Sequence, residues 1–234
     1  MRVEQIQNIK YKTMNEILEK LLESVELGKV NFAAPFPPQL KGKPGADEYT
    51  QTALEEGISP TDIMNLALIP AMDKVGQKFS EHKIFVPQML ISAKAMNASM
   101  IHLKPYFQTG EVKQKGTFII GTVFGDLHDI GKNLVAMMIG GAGWEVIDLG
   151  IDVQPEKFTE KVQEYPEAVV GISALLTTTM NNMTPVVKAI KNISPKTKIL
   201  VGGAPLSSDF AQAIGADAYA KDPQESVKWL DTLI

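Results

Sequence analysis

The sequence predicts an α/β chain: an N-terminal four-helix bundle followed by a C-terminal doubly wound, five-stranded parallel sheet. Three observations predict it. Apolar residues recur at helical spacing to about residue 107, short apolar runs then alternate with helical segments, and the polar stretch 108–116 separates the two regimes. Residues 1–107 therefore read as a helical domain, 108–116 as a linker and 117–234 as an α/β domain, and 234 residues suffice to bury a core in each.

The first helix shows as Ile17, Leu18, Leu21, Leu22 and Val25, with its period legible from Met14. Four prolines (Pro35, Pro37, Pro38, Pro44) and two glycines then make residues 35–45 an extended insert to which no role is assigned. A helix resumes near Tyr49 and stops at Gly57, a C-terminal cap signal. The next begins at Ser59-Pro60-Thr61-Asp62, where Ser59 suits the N-cap, Pro60 the first turn and Asp62 the helix dipole. Met64, Leu68, Met72, Val75 and Phe79 form its apolar stripe, and Met89, Ala93, Met96 and Met100 form that of a fourth helix. Beyond the linker, strands are expected at 117–123, 145–149, 168–173, 198–201 and 218–220, with helices at 131–142, 155–163, 178–193, 207–214 and 223–233. Such alternation implies right-handed crossovers in a Rossmann-like sheet of flavodoxin-like size.

Composition removes several functions. Lysine and arginine number 23 against 27 acidic residues, a net charge of −4, which argues against a nucleic-acid-binding face. No apolar run approaches the ~20 residues a membrane helix needs, and Met1 to Gln7 lack the apolar core of a signal peptide. With no cysteine, disulfides, thiolate metal sites and cysteine nucleophiles are excluded, and a cytoplasmic location is expected. Histidine chemistry has three positions only: His82, His102 and His128. His82 reads as solvated, and His102 as a complement to a helix dipole.

Ligands of open parallel sheets bind where loops leave the carboxyl ends of the strands. The first such loop is Phe124-Gly125-Asp126-Leu127-His128-Asp129-Ile130-Gly131. Its glycines let the backbone bend or approach a ligand. Asp126 stands two residues before His128, so its carboxylate can accept from the ring Nδ1–H, fix the tautomer and leave Nε2 free. A phosphate-binding P-loop is excluded: five residues rather than four separate Gly125 from Gly131, and Asn133 stands where Ser or Thr is needed. The glycines are also too widely spaced for a dinucleotide fingerprint. His128-Asp129-Ile130-Gly131-Lys132 is similar to the metal signature of HD-type phosphohydrolases, but those need several histidine ligands and none follows position 128.

Asp126-x-His128-x-x-Gly131 is followed after 41 residues by Ser173-Ala174-Leu175, and after 26 more by Gly202-Gly203, each at the end of an expected strand. This triple pattern resembles the cobalamin-binding domain of corrinoid proteins. In the first half, Pro70 to Phe79 and Ile84 to Leu90 resemble the helical cap of methionine synthase and of the corrinoid subunits of anaerobic methyltransferase systems.

The resemblance implies a cobalamin cofactor bound base-off, with His128 as lower cobalt ligand, Asp126 as its hydrogen-bonded carboxylate and Thr179 as the hydroxyl that completes the relay. Methionine synthase relatives have serine at that last position. Ser173 maps beside the buried nucleotide base. Gly171, Gly202 and Gly203 would leave a side-chain-free slot for the tail, lined by Leu175 and Thr177, with Tyr219 on the same rim. Phe79, Val86 and Met89 map to cap residues covering the methyl-bearing face, with the linker as hinge. The implied function is a methyl carrier between a substrate-specific methyltransferase and an acceptor methyltransferase acting on a pterin or a thiol, with a reductive activase as third partner. The alternative on the same domain pair is a cobalamin-dependent sensor, for which the residues before the first expected helix are too few to form a DNA-binding domain. An adenosylcobalamin isomerase subunit is disfavoured by the four-helix cap.

Overall fold

The computed structural model describes residues 2–109 and 112–234, so Met1, and Gly110 and Glu111 of the expected linker, lie outside the described residues. The chain divides into two compact units, with the boundary between Lys113 and Gln114.

In the first unit α1 spans Arg2–Leu27 and α2 Ala46–Glu55. Helix α3 is composite: α-helical at Pro60–Asp62, π-helical over Ile63–Leu68 and α-helical again over Ile69–Ser80. Helix α4 spans Val86–Gln108. The start of α1 precedes the legible period because charged and amide residues outnumber apolar ones before Met14. Ser59 caps α3 by accepting the Asp62 N–H at 3.0 Å. The π-helical stretch was not legible in the sequence, and Pro70 explains it. Proline has no amide hydrogen and its ring crowds the carbonyl four residues back, so the regular ladder breaks at Leu66. The core holds Leu21, Leu68, Met72, Met89 and Leu103. Where α2 meets α4, the Thr50 and Ser99 hydroxyls lie 2.8 Å apart.

The second unit runs β1 (Thr117–Thr122), α5 (Ile130–Gly141), β2 (Glu145–Asp148), α6 (Pro155–Glu164), β3 (Val169–Ser173), α7 (Met183–Ile193), β4 (Ile199–Gly202), α8 (Ser208–Ile214), β5 (Ala218–Ala220) and α9 (Pro223–Asp231). All neighbouring strands pair parallel, in the order β2-β1-β3-β4-β5. Strand side chains alternate between faces. Ile119, Val170, Ile172 and Val201 join Phe158, Val162, Val186 and Val187 in a core under α6 and α7, while α5 and α9 pack together over the other face. Chain direction across the sheet reverses between β1 and β3, so the loops leaving those strands diverge and open a crevice. No helix among the described residues is long and apolar enough to cross a membrane.

Candidate functional site: a buried aspartate behind a half-exposed histidine

The loop after β1 is held from below. Thr122 Oγ1 donates to the His128 carbonyl at 3.0 Å, and the Asp126 N–H donates to the Val123 carbonyl at 3.1 Å. The Asp126 side chain is fully buried, yet every partner it has is a donor. Oδ1 accepts the His128 N–H at 3.1 Å and faces the His128 ring Nδ1 at 2.8 Å. Oδ2 accepts the Leu175 N–H at 2.8 Å and the Thr179 hydroxyl at 2.6 Å. Burial by itself would raise the Asp126 carboxyl. The hydrogen bonds from Thr179, Leu175 and His128 outweigh it and hold the group well below the usual carboxylate range. In a neutral ring an ionised Asp126 makes Nδ1 the protonated nitrogen, and Nε2 is then the one with a lone pair to offer. The His128 side chain is 49% exposed while the carboxylate behind it has no exposure at all.

Around this ring the surface is unusually apolar. Leu127 and Ile130 are each 69% exposed, and Leu175 and Leu176 are also open to solvent. Beside it, between α5, α9 and the sheet, lies a cavity of about 410 Å³. Leu127, His128, Asp129, Ile130 and Gly131 form its mouth; Gly171, Ser173, Leu175, Gly202 and Gly203 line it. The glycines have different reasons to be there. A Cβ on Gly131 would meet nothing within 4 Å, so that position opens directly onto the site. A Cβ on Gly203 would fall 1.8 Å from the Ala174 carbonyl oxygen, at φ +141°, and one on Gly171 would fall 2.4 Å from the Phe118 ring. Those two are therefore dictated by the protein's own packing, whereas a Cβ on Gly202 makes only an ordinary 3.4 Å contact with Ala220 O.

Thr179 and Asp126 lie beneath the loop rather than in the cavity, and Gly125 sits on its outer side, bonded to Asp152. Two expected residues are not brought to the cavity. Thr177 is exposed in the turn after β3. Tyr219 packs on the opposite core, because period-2 alternation in β5 turns Ala220, not Tyr219, toward the cavity. In the first unit Phe79 and Val86 are half-buried, but Met89 is fully buried in the bundle core and cannot face a ligand as expected. Residues the sequence reading passed over complete the wall: Phe118 and Ile120 from β1, Leu200 from β4 and Ser226 from α9. The parity of β1 and β4 was the available signal. Among the described residues no cluster of three or more His, Asp or Glu is placed to hold a metal ion. One ring nitrogen in an apolar rim, next to a mainly apolar cavity, fits a large organic cofactor that would be held through a nitrogen donor with part of it lodged beside the sheet.

Comparison with known proteins agrees. Residues 116–228 and 43–104 match two families, each described as a B12 binding domain. The chain is 39% identical over 186 residues to the trimethylamine corrinoid protein of Methanosarcina barkeri, covering 78% of this chain and 86% of that one. Its structure is similar to that of a chain of the methanol:cobalamin methyltransferase complex MtaBC from the same organism, with TM-score 0.78, 28% identity, and coverage of 93% and 79%. It is similar also to a cobalamin-binding protein from Desulfitobacterium hafniense, with TM-score 0.71, 25% identity, and coverage of 93% and 98%. The chain thus belongs to the cobalamin-binding corrinoid proteins of methyltransferase systems, with a Rossmann-like cofactor domain and a helical cap domain.

Proposed function

We propose that this protein is a cytoplasmic methyl carrier that binds cobalamin base-off through His128. The observation that carries the reading is the hydrogen-bonded chain Thr179–Asp126–His128, which occupies Nδ1 and leaves Nε2 available at a half-exposed ring. Bound cobalamin supplies a cobalt centre that takes up a methyl group and gives it away again. Asp126 sets the basicity of the imidazole. Its carboxylate faces Nδ1 and so orients the ring for ligation through Nε2. Thr179 keeps the carboxylate from turning. Leu127, Ile130, Leu175 and Leu176 exclude water from the faces they cover. Ser173 and Gly202 line the place for the tail.

The relatives suggest the donors. One is a trimethylamine corrinoid protein, and one structural neighbour belongs to a methanol:cobalamin methyltransferase complex. The partners proposed here are a substrate-specific methyltransferase, an acceptor methyltransferase using a pterin or a thiol, and a reductive activase. The test is anaerobic reconstitution of the reduced protein with cobalamin, followed by mixing with methylamine- and methanol-type methyltransferases. Methylation of the bound cofactor by one of them is expected. His128→Ala should keep partial cobalamin affinity but alter the visible spectrum; an unchanged spectrum would remove His128 as ligand.

A further inference from the structure

The motif Asp126-x-His128 does not hold itself in place. Its outer side is gripped by a residue from the loop after β2, Asp152. The Asp152 carboxylate Oδ1 accepts the Gly125 N–H at 2.7 Å. The Asp152 N–H donates to the Asp126 carbonyl at 3.1 Å. One residue thus takes both ends of the Gly125–Asp126 unit. It does so because its backbone is left-handed, with φ +54°, which brings its amide and its side chain round to the same side. Asp152 and His82 are the non-glycine residues at positive φ among the described residues, a conformation aspartate tolerates better than most but still at a cost. The next residue locks the loop into the sheet: the Val153 N–H donates to the Thr122 carbonyl at 2.9 Å, and Val153 bridges Val123.

Opposite, Asn182 Nδ2 donates to the Phe124 carbonyl at 2.7 Å. Asp126 is therefore fixed at its backbone by Asp152 and at its side chain by Leu175 and Thr179. A carboxylate held at both ends has one direction left for Oδ1, and that is where the His128 ring sits. From this geometry we propose that Asp152 is a positioning residue for the His128 ring: it pins the Gly125–Asp126 backbone from outside the motif so that Nε2 keeps one orientation. The inference rests on the reading of His128 as the cobalamin ligand.

Substitutions at residue 152 separate grip from fold. Asp152→Asn keeps an acceptor oxygen and a residue tolerant of the left-handed conformation. Asp152→Gly keeps the conformation and removes the acceptor. In the cofactor-free protein, amide hydrogen exchange at Gly125 is expected to rise about tenfold in Asp152→Gly and to stay at the wild-type rate in Asp152→Asn. In the cobalamin-loaded protein, the fraction showing the histidine-bound visible spectrum at fixed pH is expected to fall in Asp152→Gly and to recover in Asp152→Asn, with thermal midpoints unchanged. Asp152→Ala is read in the same way if the glycine variant does not fold. Wild-type exchange and spectrum in Asp152→Gly would overturn the proposal. Equal damage in Asp152→Asn would also do so, since it would point to charge rather than grip. If the wild-type spectrum itself ignores His128→Ala, the ligand reading fails, while exchange at Gly125 still decides whether Asp152 holds the loop.

Discussion

Each unit of this protein contains a histidine–aspartate pair, and the shorter of the two is the less informative. In the helical unit His102 Nε2 lies 2.6 Å from Asp47 Oδ1, joining α4 to the first turn of α2. In the α/β unit His128 Nδ1 lies 2.8 Å from Asp126 Oδ1. The Asp47 side chain is 42% exposed, whereas Asp126 has no exposed side-chain surface and four donors around it. Water competes for Asp47, so its pair is a surface contact with a small net worth. Nothing competes for Asp126. The lesson is that distance does not make a device out of a pair. Burial of the carboxylate, with each oxygen already accepting from a backbone N–H, fixes which nitrogen of the ring bears the proton.

Asparagine at the two aspartates gives the largest expected separation. An amide offers one oxygen and one NH₂ group, and in either flip of Asp126→Asn the NH₂ faces a backbone N–H, of His128 or of Leu175. The variant should lose ~2 kcal/mol in urea unfolding at neutral pH. If the NH₂ takes the Oδ1 position, the ring must accept at Nδ1 and protonate at Nε2, so the histidine-bound spectrum should vanish as well. Retention of both stability and spectrum would dissolve the distinction drawn between the pairs.

A smaller effect is expected at the far end of the chain. Thr179→Val keeps the shape and removes the hydroxyl that bonds Asp126 Oδ2 at 2.6 Å. A loss of ~1 kcal/mol is expected, together with a weaker histidine-bound spectrum. Thr179→Ser should keep both, because serine supplies the same donor with a freer rotamer. A serine variant no better than valine would mean that the methyl group, not the hydroxyl, was holding the site.

Much of this site could be read from the chain because its signals are local. Asp126 and His128 share one loop and Gly131 lies at the start of the helix after it, and that loop follows Phe118-Ile119-Ile120, a run buried on both faces of the sheet. What escaped depends on register or on distant partners. Tyr219 was placed on the cavity rim, but β5 has only three residues, and a shift of one flips the face. Met89 lies on the same stripe as Ala93 and Met96, so its helical phase already pointed to the core, as its complete burial shows. Gly203 was read as room for a ligand, whereas the obstacle to a side chain is the Ala174 carbonyl. Asp152 and Asn182 grip the loop from other segments, and no local pattern announces such a grip.

Acid sharpens the contrast by the charge of Asp126 alone. The folded carboxyl titrates below its unfolded value, so its stabilising effect is complete above the ordinary carboxylate range and declines as pH falls through that range toward the folded value. Asp217 is displaced the same way, burial raising it but Lys191, the Ile199 N–H and Lys198 lowering it more, so overall acid sensitivity does not isolate Asp126. The gap between wild type and Asp126→Asn does. It should narrow by at most ~1.4 kcal/mol per pH unit as the pH falls below about 4. A gap that widens in acid would reverse the assigned direction.

The exposed pair supplies the smallest effect and the control. Asp47 stands in the first turn of α2, where a negative charge favours the helix dipole, and its contact with His102 ties that turn to α4. Asp47→Asn removes the charge but keeps an oxygen that can accept from the ring, and water can replace whatever is lost. A change under ~1 kcal/mol is expected, with no effect on the cobalamin spectrum. Raising salt from 0.05 to 0.5 M should shrink even that difference, because charges this exposed are screened. A larger loss, equal to that at Asp126 and insensitive to salt, would show the helical pair to be as tightly bound into its unit as the buried one, and burial would no longer distinguish them.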